Sequence, residues 1–292
     1  MAKQPRSLHG KVAVVTGGGR GIGKAIALAL TSEGARVAIG DVDVPAAEAA
    51  AAELGGETVA LPLDVTDGPG FAAFLDEVEQ RLGPVDILVN NAGIMTVGAH
   101  DEEDDAAAVR MIEINLHGVI LGTKEAMRRF KPRGTGHIVN VASSAGKTGF
   151  PHLATYCATK HAVVGLSEAV RSELRGTGVD ISVVMPNIVN TELSVGLVET
   201  PAFKNSSVGD VADAVIHALQ YNRYDVFVPR SIGPTWATMN LVPRRGRDFV
   251  ARALKLDRAL VEADHTAREA YEARAAASAP AADAAHRDAA GV

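Results

Sequence analysis

The hydrophobic pattern along the chain predicts seven β-strands. Each is a short run in which nearly every residue is apolar, with no regular alternation of polar positions. Runs of this kind are typical of strands buried on both faces of a parallel sheet. The predicted strands cover residues 11–17, 35–41, 57–64, 85–93, 136–144, 179–186 and 224–229.

Alanine-rich segments between these strands are predicted to be helices. Residues 23–34, 45–56, 70–83 and 211–220 carry charged residues on one side, and several of these segments end in glycine. Alternation of strands and helices is typical of βαβ crossovers. The pattern therefore predicts an α/β fold with a doubly wound parallel sheet, in a single domain over residues 1–230.

The pattern changes after residue 230. We expect a helical extension over residues 231–275, because Phe249, Ala253, Leu256 and Leu260 recur at helical spacing. Its basic part, residues 244–262, is compatible with peripheral contact to an anionic membrane surface, but we favour packing on its own subunit or on a neighbour. Residues 276–292 hold almost no large apolar side chains and are predicted to form a flexible tail.

Composition and charge exclude several classes of function. The 292 residues are 47% hydrophobic, which suits a globular protein, and the net charge of -6 argues against a nucleic-acid binder, which needs a basic face. We find no apolar run long enough for a transmembrane segment or a secretory signal, and Cys157 is the single cysteine of the sequence. We therefore expect a cytoplasmic protein.

No metal site is predicted. The acidic run at 100–105 precedes a predicted helix, and acidic residues are favourable in the first turn of a helix. The spacing of the histidines does not fit a metal-binding motif. We interpret Cys157 as a small packing residue and His152 as a surface residue, although His152 is close enough to Tyr156 in sequence to line a substrate cleft.

A glycine-rich turn follows the first predicted strand. In "TGGGRGIG", residues 16–23, Gly17, Gly21 and Gly23 fit a G-x-x-x-G-x-G turn rather than G-x-G-x-x-G. Glycines at such positions let the backbone approach a pyrophosphate, whose charge is stabilised by the start of the next helix. A plain strand-to-helix turn is the alternative. The position of the glycine turn directly after the first strand favours a dinucleotide site over this alternative.

The end of the second predicted strand bears on the choice of dinucleotide. Asp41 lies where a carboxylate accepts hydrogen bonds from the adenosine ribose hydroxyls, and it would repel a 2′-phosphate. Arg20, in the glycine turn, favours NADP instead, because a guanidinium could bind that phosphate. No basic residue directly follows Asp41. The sequence favours NAD over NADP.

A tyrosine and a lysine, Tyr156 and Lys160 in "TYCATK", lie four positions apart, which places both on one face of a helix. Together with the glycine turn, "NNAG" at 90–93, Asn115 and Ser143, they resemble the classical short-chain dehydrogenase/reductase family in order and spacing, over residues 8–230. The resemblance implies a Rossmann-type sheet of about seven strands, a nicotinamide cofactor and a homodimer or homotetramer.

The resemblance also implies a role for each catalytic residue. Tyr156 is expected to exchange a proton with the substrate oxygen, and Ser143 to hydrogen-bond that oxygen. Lys160 is expected to bind the nicotinamide ribose, and Asn115 to hold a water in a proton relay. Ser144 is a weaker rival to Ser143, because the family places its serine thirteen positions before the tyrosine.

Lys160 also gives a physical reason for the tyrosine to act as a base. A phenol has a pKa near 10, and lowering it by about three units requires roughly 4 kcal/mol. A cation about 4 Å away supplies roughly that amount at an effective dielectric constant near 20. We therefore expect Lys160 to lower the pKa of Tyr156.

Further cofactor contacts are implied at matching positions. Asp64 and Val65 follow the third strand, where the family contacts adenine, and Asn91 lies in "NNAG". The sequence departs from the family at Asn187, because Pro-Gly is usual where this chain has Pro-Asn. The implied cofactor contacts are Gly17, Arg20, Gly21, Ile22, Gly23, Asp41, Asp64, Val65, Asn91, Tyr156, Lys160, Ile188 and Thr191.

The predicted function is NAD-dependent interconversion of a secondary alcohol and a ketone. The loop at 187–207 is mostly apolar or small, which favours a lipophilic substrate. A non-catalytic NAD(P)-binding sensor or scaffold, and an NADPH-dependent carbonyl reductase, remain open. An epimerase or dehydratase is a further reading, but those relatives generally carry a larger C-terminal domain.

Overall fold

The seven predicted strands form one sheet. The computed structural model describes residues 4–197, 205–239, 242–243, 245–246, 261 and 263–277. The strands are β1 Val12–Thr16, β2 Arg36–Asp41, β3 Thr58–Pro62, β4 Ile87–Asn90, β5 Gly136–Val141, β6 Val179–Pro186 and β7 Asp225–Val228. All neighbouring strands pair in parallel, in the order β3-β2-β1-β4-β5-β6-β7. The predicted doubly wound α/β fold is confirmed.

Nine α-helices are described. They are α1 Gly21–Ser32, α2 Val44–Leu54, α3 Gly68–Leu82, α4 Asp105–Ile112, α5 Gly118–Arg133, α6 Ala154–Glu173, α7 Val208–Tyr221, α8 Ile232–Met239 and α9 His265–Ala277. The apolar sides of α1, α2 and α7 pack on one face of the sheet, and those of α3, α5 and α6 pack on the other. The central strands are covered on both faces, which explains why their sequences are almost entirely apolar.

The order in which successive strands are added to the sheet reverses between β1 and β4. The strand order runs outward from β1 through β2 to β3, and then outward in the other direction from β4 to β7. Connections on either side of this point leave a crevice at the carboxyl ends of the strands, where ligands bind in doubly wound sheets. The glycine turn after β1 and the segment after β4 lie at this crevice.

The C-terminal extension includes α9, which ends at Ala277, two residues beyond the predicted end at residue 275. Ala275 is buried. The residues that suggested an earlier amphipathic helix, Phe249 to Leu260, lie outside the described residues. Most of the basic segment 244–262 also lies outside them. No helix in the described part of the chain is long and apolar enough to span a bilayer.

Candidate active site

Two adjoining cavities occupy the crevice at the carboxyl ends of the strands. The first, which we call the cofactor cleft, runs from the glycine turn past the ends of β2 and β3. The second, which we call the substrate cavity, is lined by Ser143, Tyr156 and Lys160 and by the chain that follows β6. Ile22, Asn91, Gly93, Thr191 and Leu193 line both. The two cavities therefore meet between the glycine turn and the chain that follows β6.

The glycine turn fits the pyrophosphate of a dinucleotide. A Cβ atom at Gly23 would lie 2.1 Å from the carbonyl oxygen of Gly17, so the first turn of α1 can approach the end of β1 this closely with glycine alone. Helix α1 has no acidic residue in its first turn and no side-chain cap. Its N-terminal amides are therefore not capped by a side chain and face the cleft, where they favour an anion.

Asp41 is held at the wall of the cofactor cleft. Its carboxylate accepts hydrogen bonds from the backbone amides of Gly19 at 2.9 Å and Asp43 at 3.0 Å. Arg20 also lines the cleft, but its guanidinium pairs with the carboxylate of Asp43 and lies 3.6 Å from that of Glu192. The positive charge of Arg20 is thus partly balanced by two carboxylates of the protein itself.

Helix α6 and the end of β5 bring Ser143, Tyr156 and Lys160 together. Tyr156 and Lys160 are one turn apart on α6, and the Lys160 ammonium lies 5.6 Å from the centre of the Tyr156 ring. Ser143 follows β5, its hydroxyl donates to the Pro186 carbonyl at 3.4 Å, and it lies close enough to the phenol of Tyr156 to lower the pKa of that phenol. By contrast, the hydroxyl of Ser144 donates to the Asn187 side chain at 3.2 Å. Both serines line the substrate cavity, and the choice of Ser143 over Ser144 stays a prediction.

The expected effect of Lys160 on Tyr156 is corrected by the structure. Burial raises the pKa of Tyr156 above its ordinary value, and this outweighs the lowering by the nearby Ser143 hydroxyl. Burial also lowers the pKa of Lys160 to about 8. Burial disfavours the ammonium of Lys160 as well as the phenolate of Tyr156. Within the protein chain, the attraction between the two charges therefore does not outweigh the cost of burying the phenolate. A lower phenol pKa therefore requires a further positive charge.

Asn115 lies behind this group rather than on a cavity wall. It is fully buried in a π-helical segment, Glu113–His117, between α4 and α5. Its side chain accepts from the Ile94 amide and donates to the Ile94 carbonyl, both at 2.8 Å. A Cβ at Gly93 would lie 3.2 Å from the Asn115 oxygen and 3.6 Å from the Lys160 nitrogen, so Gly93 separates these two side chains.

The other predicted contacts divide between the two cavities. Asp64 and Val65 line the cofactor cleft with the glycine turn, and Ile188 lines the substrate cavity. The Asn91 side chain donates to the carbonyls of Thr16 and Gly17, at 3.0 and 3.1 Å, so it joins the ends of β1 and β4. Each predicted cofactor contact therefore lines at least one of the two cavities.

Asn187, which stands where the family usually has glycine, does not adopt a positive φ. Among the described residues other than glycine, positive φ occurs at His152 and Asn222. The backbone amide of Asn187 donates to the Val228 carbonyl at 2.8 Å, so the turn after β6 is tied to β7. The side-chain oxygen of Asn187 accepts a hydrogen bond from Ser144, while its buried side-chain nitrogen has no partner among the described residues.

Comparison with known proteins agrees with this geometry. A model of the short chain dehydrogenase family matches residues 11–202. The chain belongs to the short-chain dehydrogenase/reductase family. The match includes the glycine turn, Asn115, Ser143, Tyr156 and Lys160, and membership makes the protein an oxidoreductase that acts on CH–OH groups.

Individual relatives cover most of this dehydrogenase. A sorbitol dehydrogenase of Cereibacter sphaeroides is 39% identical over 186 residues, which are 63% of this chain and 73% of the relative. A 2-(S)-hydroxypropyl-CoM dehydrogenase 3 of Xanthobacter autotrophicus is 36% identical over 231 residues, 73% of this chain and 90% of the relative. A crystal structure of a short chain dehydrogenase/reductase from Burkholderia phymatum, in complex with NAD, has 27% identity and a TM-score of 0.74, covering 80% of this chain and 93% of that one.

Helix α9 of the dehydrogenase contributes site residues that we did not predict. Tyr271, Arg274 and Ala275 line the cofactor cleft. The Tyr271 hydroxyl accepts a hydrogen bond from the Met95 amide at 3.0 Å, and Arg274 pairs with Glu192 at 2.9 Å. Arg268, Tyr271 and Ala275 recur three and four positions apart, which marks one face of a helix. That spacing is visible in the sequence, but it does not indicate which residues this helix face contacts.

Residues that we excluded from the site have structural roles in the dehydrogenase. Asp104 caps α4 by accepting from the Ala107 amide at 2.8 Å, as expected of the acidic run. Cys157 is buried among apolar residues, and burial raises the pKa of its thiol. The described residues hold no group of His, Cys, Asp and Glu side chains suited to a metal ion.

Proposed function

We propose that the protein is an NAD-dependent oxidoreductase that interconverts a secondary alcohol and a ketone, with Tyr156 as the general acid and base. The observation that carries the proposal is the convergence of Ser143, Tyr156 and Lys160 where the substrate cavity meets the cofactor cleft. A non-catalytic dinucleotide binder needs no buried tyrosine and lysine at this junction.

The substrate oxygen is held between the Ser143 hydroxyl and the Tyr156 phenol. During oxidation, Tyr156 accepts the hydroxyl proton of the alcohol, and during reduction it returns a proton to the carbonyl oxygen. Ser143 donates a hydrogen bond to the same oxygen and orients it. When bound, the nicotinamide ring accepts or supplies the hydride. The proton moves on through Lys160 towards Asn115, and both side chains border Gly93.

Lys160 holds positive charge close to the phenol and binds the nicotinamide ribose. Its ammonium donates to the Val141 carbonyl at 3.1 Å, which fixes it at the end of β5. The burial that lowers its pKa to about 8 also strengthens its field at Tyr156, because the site has little water to screen it. An oxidised nicotinamide bound in the adjoining cleft would supply a second positive charge near the phenolate.

The cofactor is NAD rather than NADP. Asp41 presents a carboxylate at the end of β2, where it suits the two ribose hydroxyls and repels a 2′-phosphate. Arg20, the residue that favours NADP, is paired with Asp43. The preference is tested by titration of the protein with NADH and NADPH, followed by cofactor fluorescence. We expect tighter binding of NADH, and equal or tighter binding of NADPH would contradict the assignment.

The substrate is lipophilic around its reacting carbon. Met95, Phe150, Leu153, Leu193 and Leu197 line the cavity next to Tyr156. One relative carries a polyol in its name and the other a hydroxypropyl group, so polar alcohols are the natural comparison. A panel of secondary alcohols of increasing apolar length, run with sorbitol, measures the preference through NADH absorbance. We expect kcat/KM to rise with apolar length.

The role of Tyr156 is tested by Tyr156→Phe. General acid and base catalysis contributes about 10²–10⁴-fold, so we expect kcat/KM to fall by about that factor, while the dissociation constant of NADH stays within about threefold. Cys157→Ser, a change at the adjacent buried position, is the control. Near-normal turnover by Tyr156→Phe would end the proposal, and retained NADH binding without turnover by the wild type would favour a non-catalytic sensor.

A further inference from the structure

Arg268 of helix α9 is a buried cation that the proposed chemistry does not use. Its side chain is fully buried. It donates hydrogen bonds to the carbonyls of Met95 at 2.8 Å, Leu193 at 3.0 Å and Val195 at 2.9 Å, and to the Glu272 carboxylate at 2.9 Å. A guanidinium has several donors in a fixed planar fork, so one side chain can satisfy all of these acceptors.

The three carbonyls belong to the two segments that flank the site. Met95 follows β4, whereas Leu193 and Val195 follow β6, and the two segments are far apart in sequence. Met95 and Leu193 also line the substrate cavity with their side chains. Arg268 thus joins the backbones of both segments at residues that form the cavity wall.

Two further contacts hold α9 in the same place. The Tyr271 hydroxyl accepts from the Met95 amide at 3.0 Å, so α9 engages both backbone groups of Met95. Directly before α9, the amide of Asp264 donates to the carbonyl of Gly196 at 2.8 Å, in the segment after β6. The Arg268 guanidinium lies 5.4 Å from the Tyr271 ring centre, within the range of a cation–π contact.

Because of these contacts, substrate binding does not have to order the segments after β4 and β6. Irregular segments at a cavity mouth are mobile unless their backbone groups find partners, and ordering them on binding weakens affinity. Here the partners come from the same chain, and they fix Met95 and Leu193 before a substrate arrives. The cost of burying the guanidinium is offset by its four acceptors.

We propose that Arg268 is a positioning residue: it joins the segments after β4 and β6, and so sets the shape of the substrate cavity and the affinity for the alcohol. This inference rests on the proposed function for its kinetic part, and on the contacts of α9 alone for its structural part.

The structural part is tested by hydrogen exchange, measured by mass spectrometry on the full-length protein. In Arg268→Ala we expect the amides of residues 94–98 and 192–197 to exchange at least about tenfold faster than in the wild type, because the carbonyls of Met95, Leu193 and Val195 lose their buried donor and both segments open more often. Arg268→Lys keeps the charge without the fork, and we expect an intermediate rate. Arg175→Ala removes an exposed arginine at the end of α6 and should leave both segments unchanged.

A second variant breaks the same contact without changing Arg268. Gly196 has a φ of +78°, and a Cβ there would lie 2.5 Å from the Asp264 carbonyl oxygen and 3.0 Å from the Arg268 Cγ. Gly196→Ala should therefore displace α9 and speed exchange in the same segments. Gly176 has the same φ with nothing within 4 Å of such a Cβ, so Gly176→Ala carries the same backbone strain without the clash.

The kinetic part separates positioning from general destabilisation. In Arg268→Ala and Gly196→Ala we expect KM for the alcohol to rise about tenfold with kcat within about threefold, because substrate binding must then also order the freed segments, and a tenfold weaker affinity corresponds to about 1.4 kcal/mol of ordering cost. Arg268→Lys should recover part of the loss. Unchanged exchange in both variants, or faster exchange with an unchanged KM, would overturn the inference. If the wild type turns over no alcohol, the proposed function fails, while the exchange experiment still tests the contact.

Discussion

Two buried cations of this protein, Arg268 and Lys160, differ in how their charge is compensated. Arg268 is fully buried and donates to three carbonyls and a carboxylate. Lys160 is 5% exposed, and among the described residues its ammonium donates one hydrogen bond, to the Val141 carbonyl. Burial lowers the pKa of Lys160 to about 8. Lys160 lines the substrate cavity, whereas Arg268 bonds the backbone of Met95 and Leu193, which line it.

The difference shows what each cation contributes. A buried charge that donates to several acceptors fixes the backbone groups around it. A buried charge with one partner is costly to the folded protein, and such a cost is retained where charge is needed for chemistry. We therefore assign Arg268 to the shape of the site and Lys160 to its reactivity. Substitution of both by methionine, which keeps an unbranched stem, tests this contrast.

The largest expected effect is on turnover by Lys160→Met. The lysine ammonium, 5.6 Å from the ring centre of Tyr156, stabilises a phenolate by roughly 3 kcal/mol at an effective dielectric constant near 20, so we expect kcat/KM to fall by about 10²-fold. Arg268→Met should retain kcat within about threefold. Steady-state kinetics of both variants with one alcohol measures the difference. Similar loss of kcat in both variants would remove the contrast.

A smaller effect, of opposite sign in the two variants, is expected on stability. Lys160→Met should raise the free energy of unfolding at pH 7 by about 1–3 kcal/mol, because it removes an ammonium that burial disfavours. Arg268→Met should lower it by up to about 3 kcal/mol, because buried carbonyls lose their donor. Urea denaturation followed by circular dichroism measures both. Destabilisation by Lys160→Met would show that the lysine is well compensated.

The smallest effect is the pH dependence that Lys160 imposes on stability. Its pKa is lowered from an ordinary 10.5 to about 8, so above pH 8 the unfolded chain binds more protons than the folded one. Stability contributed by this group therefore rises with pH, by about 1 kcal/mol between pH 8 and 9. The difference between the wild type and Lys160→Met isolates this slope from the other titrating groups. If this difference in the free energy of unfolding does not change with pH, the pKa of Lys160 in the folded protein is not near 8.

The strands, the glycine turn and the Tyr156–Lys160 pair could be predicted because each depends on local pattern. Apolar runs such as Val12–Thr16 are readable one strand at a time, and a spacing of four places two side chains on one helix face. The choice of Ser143 over Ser144 required a family spacing as well. These features need no knowledge of how distant segments pack.

The role of α9 and the electrostatics of Tyr156 could not be predicted, because both depend on tertiary contacts. Arg268 contacts Met95, which is 173 positions away in sequence, and its helical face does not reveal that partner. For Tyr156, proximity to Lys160 was readable, but the extent of burial was not. Burial reversed the expected sign of the pKa shift in the protein chain.

The most direct test of the central claim is an ultraviolet titration of Tyr156 with and without NAD⁺. The phenolate absorbance of the wild type, minus that of Tyr156→Phe, isolates this side chain. Because Lys160 and an oxidised nicotinamide both favour the phenolate, we predict that saturation with NAD⁺ lowers the pKa of Tyr156 by at least about two units. A titration curve that NAD⁺ leaves in place would contradict the account.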